Sequence, residues 1–221
     1  MLTHPVVDWS ELRDSQGSPG DEVAALLNHV GQQPSAEAWK RLGDRLVVER
    51  ECWCSAAYAA LPRLSALAQS GTEENRKAAI ELASMIAMTL HQRHADDDLV
   101  RADPSALATL FRLAASRLST MAGSQLRSSL QAACAFAGYT FLAVISLDFS
   151  DEHYKIRCPV VGRTLDPAVL KALTYWPGIV HAERLAEVLR ERAVAFVRDA
   201  RLLGADGDQI VSAFAQALGR R

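Results

Sequence analysis

An all-α fold built of stacked antiparallel helical hairpins is predicted by three observations. Apolar residues recur at three- and four-residue spacing along most of the chain, period-two alternation is nearly absent, and the apolar stretches are joined by turns of two to four residues. With 221 residues, 49% of them hydrophobic and 23% charged, the chain can bury a sizeable core, and a disordered tail protein is excluded. The balance of 24 Lys and Arg against 26 Asp and Glu, a formal charge of −2, lacks the positive field that phosphate backbones require and so disfavours nucleic-acid binding.

The helices are marked by their start and stop residues. Asp21 precedes a short helix to about residue 32, and Ser35 precedes a helix over 36–48 with Trp39, Leu42 and Leu46 on one face. A third runs over 51–69. Thr72, with Glu73 and Glu74 in the first turn to complement the helix dipole, opens a long helix to about residue 93. Asp103 followed by Pro104 is a cap with proline at the first helical position; it starts a helix to about residue 121, and Asp166-Pro167 repeats the device. Gly123 and Ser124 then lead into a helix reaching about residue 147. A Trp176-Pro177-Gly178 break precedes a charged amphipathic helix over 180–203, and a last short helix spans 208–218.

Two segments test this reading. Between Arg127 and Asp148 no residue is charged, a run that approaches the ~20 residues of a membrane span. It contains Ser128, Ser129, Gln131, Gly138, Tyr139, Thr140 and Ser146, and much of the rest is alanine, so a helix buried by its neighbours is expected, with no membrane partner. Over 150–165, by contrast, Tyr154, Ile156 and Cys158 alternate with Lys155 and Arg157, which predicts a short extended segment with turn chemistry at Pro159 and Gly162. Residues 1–20 form an N-terminal extension, 21–147 a helical repeat region, 148–165 an irregular connection and 166–221 C-terminal helices packed on the stack.

The helical pairs 51–69 with 72–93 and 105–121 with 124–147 have similar lengths at an offset of 51 residues, which aligns Arg76 with Arg127, Ala83 with Cys134 and Leu90 with Phe141. The run from Trp39-Lys-Arg-Leu42 through Cys52-Trp-Cys-Ser55-Ala-Ala-Tyr58-Ala-Ala-Leu61-Pro62-Arg-Leu64, followed by Arg76-Lys-Ala-Ala-Ile80, resembles bacterial HEAT-like repeat proteins over residues 35–147. In these an alanine-rich first helix carries a proline and the second helix is entered with an arginine. The resemblance implies a HEAT-like α-solenoid that binds another macromolecule through an extended surface. Small bacterial proteins of this kind include scaffolds and immunity proteins that sequester a toxin.

Candidate chemistry is sparse. Cys52 and Cys54, read as two positions apart on a helix, point about 200° apart and cannot comfortably chelate one metal. The first sixteen residues hold Asp8, Glu11, Arg13 and Asp14 and no long apolar run, so no secretory signal is read there and a cytoplasmic protein with free thiols is expected. Cys158-Pro159-Val160-Val161-Gly162 looks like half of a zinc knuckle, but Val161 stands where the second thiolate belongs. His91 and His94 with Asp96, Asp97 and Asp98 offer nitrogen and oxygen ligands; the competing reading is a helix terminus followed by a solvated loop, and no metal or cofactor is expected. No nucleophile elbow, phosphate-cradling loop or His-Glu-x-x-His occurs, and no catalytic residue is assigned. The arginines of 184–201 interleave with acidic residues, as on a salt-bridged solvated face.

A non-enzymatic protein-binding module is therefore expected, with a basic protein such as a toxin domain as partner. The candidate contact residues are the Asp96, Asp97, Asp98 loop, where carboxylates can steer a basic partner, and Trp53 and Trp176, aromatic anchors in a chain with only 6% aromatics. A HEAT-like nucleic-acid repair protein and a metal-dependent enzyme are the alternatives.

Overall fold

A computed structural model describes residues 7–47, 54–90, 103–139, 142–143, 156–157, 164–165 and 194–219. These residues are overwhelmingly helical, and the chain divides into two compact units, Met1–Leu110 and Phe111–Arg221.

In the first unit, α1 (Asp21–Gln32) buries Val23, Leu26, Leu27 and Val30, an i, i+3, i+4, i+7 stripe. Its N-cap is Gly20, not Asp21; Asp21 and Glu22 stand instead in the first turn, where their charge favours the exposed N–H groups. The next helix, α2 (Ala36–Leu46), is capped as expected, the Ser35 hydroxyl accepting from the Ala38 N–H at 3.1 Å. It stops at Leu46 because Val47 is extended (φ −135°, ψ 124°). Helix α3 (Ser55–Ser70) begins four residues later than the sequence pattern suggests. Cys54 is extended at its N-cap (φ −110°, ψ 144°), so the placing of both Cys52 and Cys54 on a helix is corrected for Cys54, while Cys52 lies outside the described residues. The cause lies in the segment before α1: the Arg13 carbonyl accepts from the Ala56 N–H at 3.0 Å, and Ser55 Oγ accepts from the Arg13 N–H at 2.9 Å. Backbone from elsewhere thus satisfies a donor that the first turn leaves open.

Pro62 lies inside α3, and the helix continues through it. A proline there cannot donate to the carbonyl four residues back and costs ~3 kcal/mol in an isolated helix. Leu61 and Leu64 on either side are wholly buried in a helix that packs on both α1 and α4 (Glu73–Leu90), and at ~1.5–3 kcal/mol per leucine this burial offsets the cost. Helix α4 starts at the predicted point, Thr72 Oγ1 accepting from the Asn75 N–H at 3.3 Å. Within the unit α1 packs on α2 and α3 on α4; between the hairpins α1 meets α3 and α2 meets α4. Polar ties follow the same pairing. The Trp39 indole N–H donates to Asn75 Oδ1 at 3.0 Å, joining α2 to α4, and the Arg63 guanidinium donates to Asn28 Oδ1, joining α3 to α1. Arg76, which enters α4, donates from Nε to the Ala68 carbonyl at 2.9 Å and so caps the last turn of α3 with a cation.

Helix α5 (Pro104–Ser116) contains the boundary between the units, and its cap is the predicted one: Asp103 Oδ1 accepts from the Ser105 N–H at 2.8 Å. Helical geometry ends at Ser116, short of the expected residue 121, because 117–120 form turns closed by three-residue hydrogen bonds such as Thr120 N–H to the Arg117 carbonyl at 3.1 Å. The largest correction concerns α6 (Gly123–Phe136), which the sequence reading carries on to about residue 147. Gly138 has φ +82°, the Tyr139 N–H donates to the Cys134 carbonyl at 2.8 Å, and the Gly138 N–H donates to the Ala135 carbonyl at 3.0 Å. This pairing is the Schellman stop, in which a glycine takes the left-handed position that an L side chain resists. The charge-free run is therefore not one continuous helix; residues 142 and 143 are again helical.

The same stop closes α7, helical over 194–202: Gly204 has φ +88°, the Ala205 N–H donates to the Ala200 carbonyl at 3.0 Å and the Gly204 N–H to the Arg201 carbonyl at 3.1 Å. We expect Gly204→Ala to destabilise by about 1–2 kcal/mol, the cost of left-handed backbone for a residue with a Cβ, seen as a lowered urea midpoint with helical content kept. The final helix, α8 (Gly207–Gly219), is capped by Asp206, whose Oδ1 accepts from the Asp208 N–H at 2.9 Å, and it packs on α6. Extended backbone falls where alternation predicted it: β1 (Ile156–Arg157) pairs antiparallel with β2 (Thr164–Leu165), Ile156 opposite Leu165.

Candidate functional site

All five residues assigned to partner contact, Trp53, Asp96, Asp97, Asp98 and Trp176, lie outside the described residues, as do His91, His94, Cys158 and Val161. Two acidic residues, one at the start of each helix on either side of the segment over 91–102, are described, and both are engaged. Asp103 caps α5, and Glu73 pairs with Arg76 at 3.0 Å. Glu73 and Glu74 stand at the start of α4, whose 18 residues span ~27 Å at 1.5 Å each.

Among the described residues a dense polar cluster joins residues 7–20 to α2. The Asp14 side chain is wholly buried; Oδ1 accepts from the Gln16 N–H at 2.9 Å and the Ser18 N–H at 2.8 Å, and Oδ2 accepts from Arg45 Nη1 at 3.0 Å. Arg45 also donates to Gln16 Oε1 at 2.7 Å and pairs with Glu22. Its guanidinium is held more firmly protonated than usual, first by the hydrogen bond to Glu22 and further by Asp14. Ser15 completes the clasp, its hydroxyl donating to the Asp44 carbonyl at 2.9 Å and its N–H to the Arg45 carbonyl at 2.9 Å. With both oxygens committed, Asp14 is a structural carboxylate. The sequence reading assigned it no role, although Asp14-Ser-Gln-Gly17 carries the pattern of an aspartate folding the chain over its own N–H groups.

In the second unit an aromatic group surrounds Phe196, which is fully buried. Phe111 meets it edge-on at 6.3 Å between ring centres and Tyr139 at 5.3 Å. The Tyr139 hydroxyl donates to Asp199 Oδ2, and Arg198 Nε donates to Asp199 Oδ1 at 2.8 Å. Arg198 foremost, then Tyr139, holds the Asp199 carboxyl below the ordinary aspartate range. Arg201 pairs with Asp208 at 3.3 Å, outside the interleaved stretch, and the Arg184, Glu187 and Arg190 spacing lies outside the described residues. What the charge pattern hid is that Val194 and Leu202, 71% and 82% exposed, flank Arg198 at four-residue spacing on that helix.

Cys54 and Cys134 are both buried thiols. Cys54 donates weakly from Sγ to the Leu46 carbonyl at 3.6 Å, and burial alone pushes the Cys134 thiol well up. Because the unfolded thiol ionises near its ordinary value of 9.0 while the folded one resists, Cys134 contributes stability below pH 9 that is lost as pH rises beyond it. Alkylation of Cys134 at pH 8 is expected to proceed only as fast as the protein opens, rising to the rate of a free thiol in denaturant; mass spectrometry of timed samples measures both.

These polar groups cap helices, tie hairpins together and pair charges, and the described residues form a protein of the all-α class. Among the described residues no three His, Cys, Asp or Glu side chains are placed to hold a metal ion, and no helix is long and apolar enough to cross a membrane. Comparison with protein-family models, with curated proteins and with solved structures gives no match.

Proposed function

We propose that this chain is a non-enzymatic, cytoplasmic protein-binding module, a HEAT-like stack of helical hairpins that sequesters or scaffolds another protein in the manner of an immunity protein holding a toxin. The observation that carries the reading is the pairing of α1 with α3 and of α2 with α4, first helix on first and second on second, as when successive hairpins add to one stack. Arg76 at the entrance of α4 and Pro62 within α3, on which the HEAT-like resemblance rests, suit that reading, Arg76 by tying α4 to the end of α3. Such a stack presents adjoining helix faces and a row of connecting loops to a partner. The partner chemistry that suits Asp96, Asp97 and Asp98 is a basic protein surface.

The test is affinity capture from the native organism with the wild type and with a variant carrying Asp96→Asn, Asp97→Asn and Asp98→Asn, followed by association kinetics with the protein recovered. We expect one protein in stoichiometric amount, and association several-fold slower for the variant at low salt, the difference shrinking as salt is added. Recovery of nucleic acid with steeply salt-dependent affinity would replace this reading with a nucleic-acid one. Equal kinetics for the two forms would remove the aspartate loop from the contact surface.

A further inference from the structure

No further inference is drawn: the strongest candidate, the exposed apolar edge that Val194 and Leu202 form beside Arg198 on the helix over 194–202, is an unpartnered face, and nothing in the structure shows what covers it.

Discussion

Replacing Phe196 by alanine is expected to destabilise the protein by about 3–5 kcal/mol, the usual cost of deleting a buried aromatic ring together with the cavity it leaves. The ring is fully buried and meets Phe111 and Tyr139 edge-on, so its loss removes two aromatic pairs as well as apolar area. Tyr139 then loses the surface that aims its hydroxyl at Asp199, and that hydrogen bond weakens with it. Urea unfolding followed by far-ultraviolet circular dichroism should show a lower midpoint with the slope of the transition unchanged. Phe196→Leu, which keeps much of the volume, should recover more than half of the loss. A change below 1 kcal/mol for the alanine variant would show that the aromatic group is not a core of this unit.

Asp14→Ala should cost about 2–4 kcal/mol, because it orphans two backbone donors at ~1–3 kcal/mol each and releases the guanidinium of Arg45. Asn at this position keeps one acceptor oxygen and should lose less. The mechanism has its own signature: amide exchange should quicken at Gln16 and Ser18 before it changes in the buried stripe of α1. A double cycle with Arg45→Met should be strongly non-additive, since each change removes the other's partner. Additive effects would mean that the clasp is held by the Ser15 bonds to the Asp44 and Arg45 carbonyls and not by the Asp14–Arg45 pair.

The helices were legible where local chemistry decides them. Ser35, Thr72 and Asp103 act on their own first turns, within three residues, and each caps as its sequence suggests. The errors lie where a distant partner or a single torsion decides. The start of α3 depends on Arg13, 42 residues away from Ser55, which no window of local pattern contains. The stop at Gly138 is a choice between tolerating glycine inside a helix and using it to end one, and alanine-rich flanks bias a reader toward tolerance. The extended backbone at Ile156 and Arg157 was visible because alternation survives even in so short a strand; its pairing with Thr164 and Leu165 was not. The contact residues rested on exposure and on charge in loops, and sequence encodes exposure only through the packing of everything else. Hence Val194 and Leu202 went unremarked in a stretch whose arginines and acids gave the stronger signal.

The clasp at Asp14 also fixes an order of events during synthesis. Its carboxylate, the Arg13 amide and the Arg13 carbonyl leave the ribosome before the groups they bind, Arg45 lying 31 residues downstream of Asp14 and Ser55 lying 42 downstream of Arg13. At ~5–20 residues per second that interval lasts seconds, during which the segment over 7–20 has none of those downstream partners. The segment before α1 is thus fastened only once α2 and the start of α3 have been made, and a truncated product ending before Arg45 lacks the cation that completes the clasp.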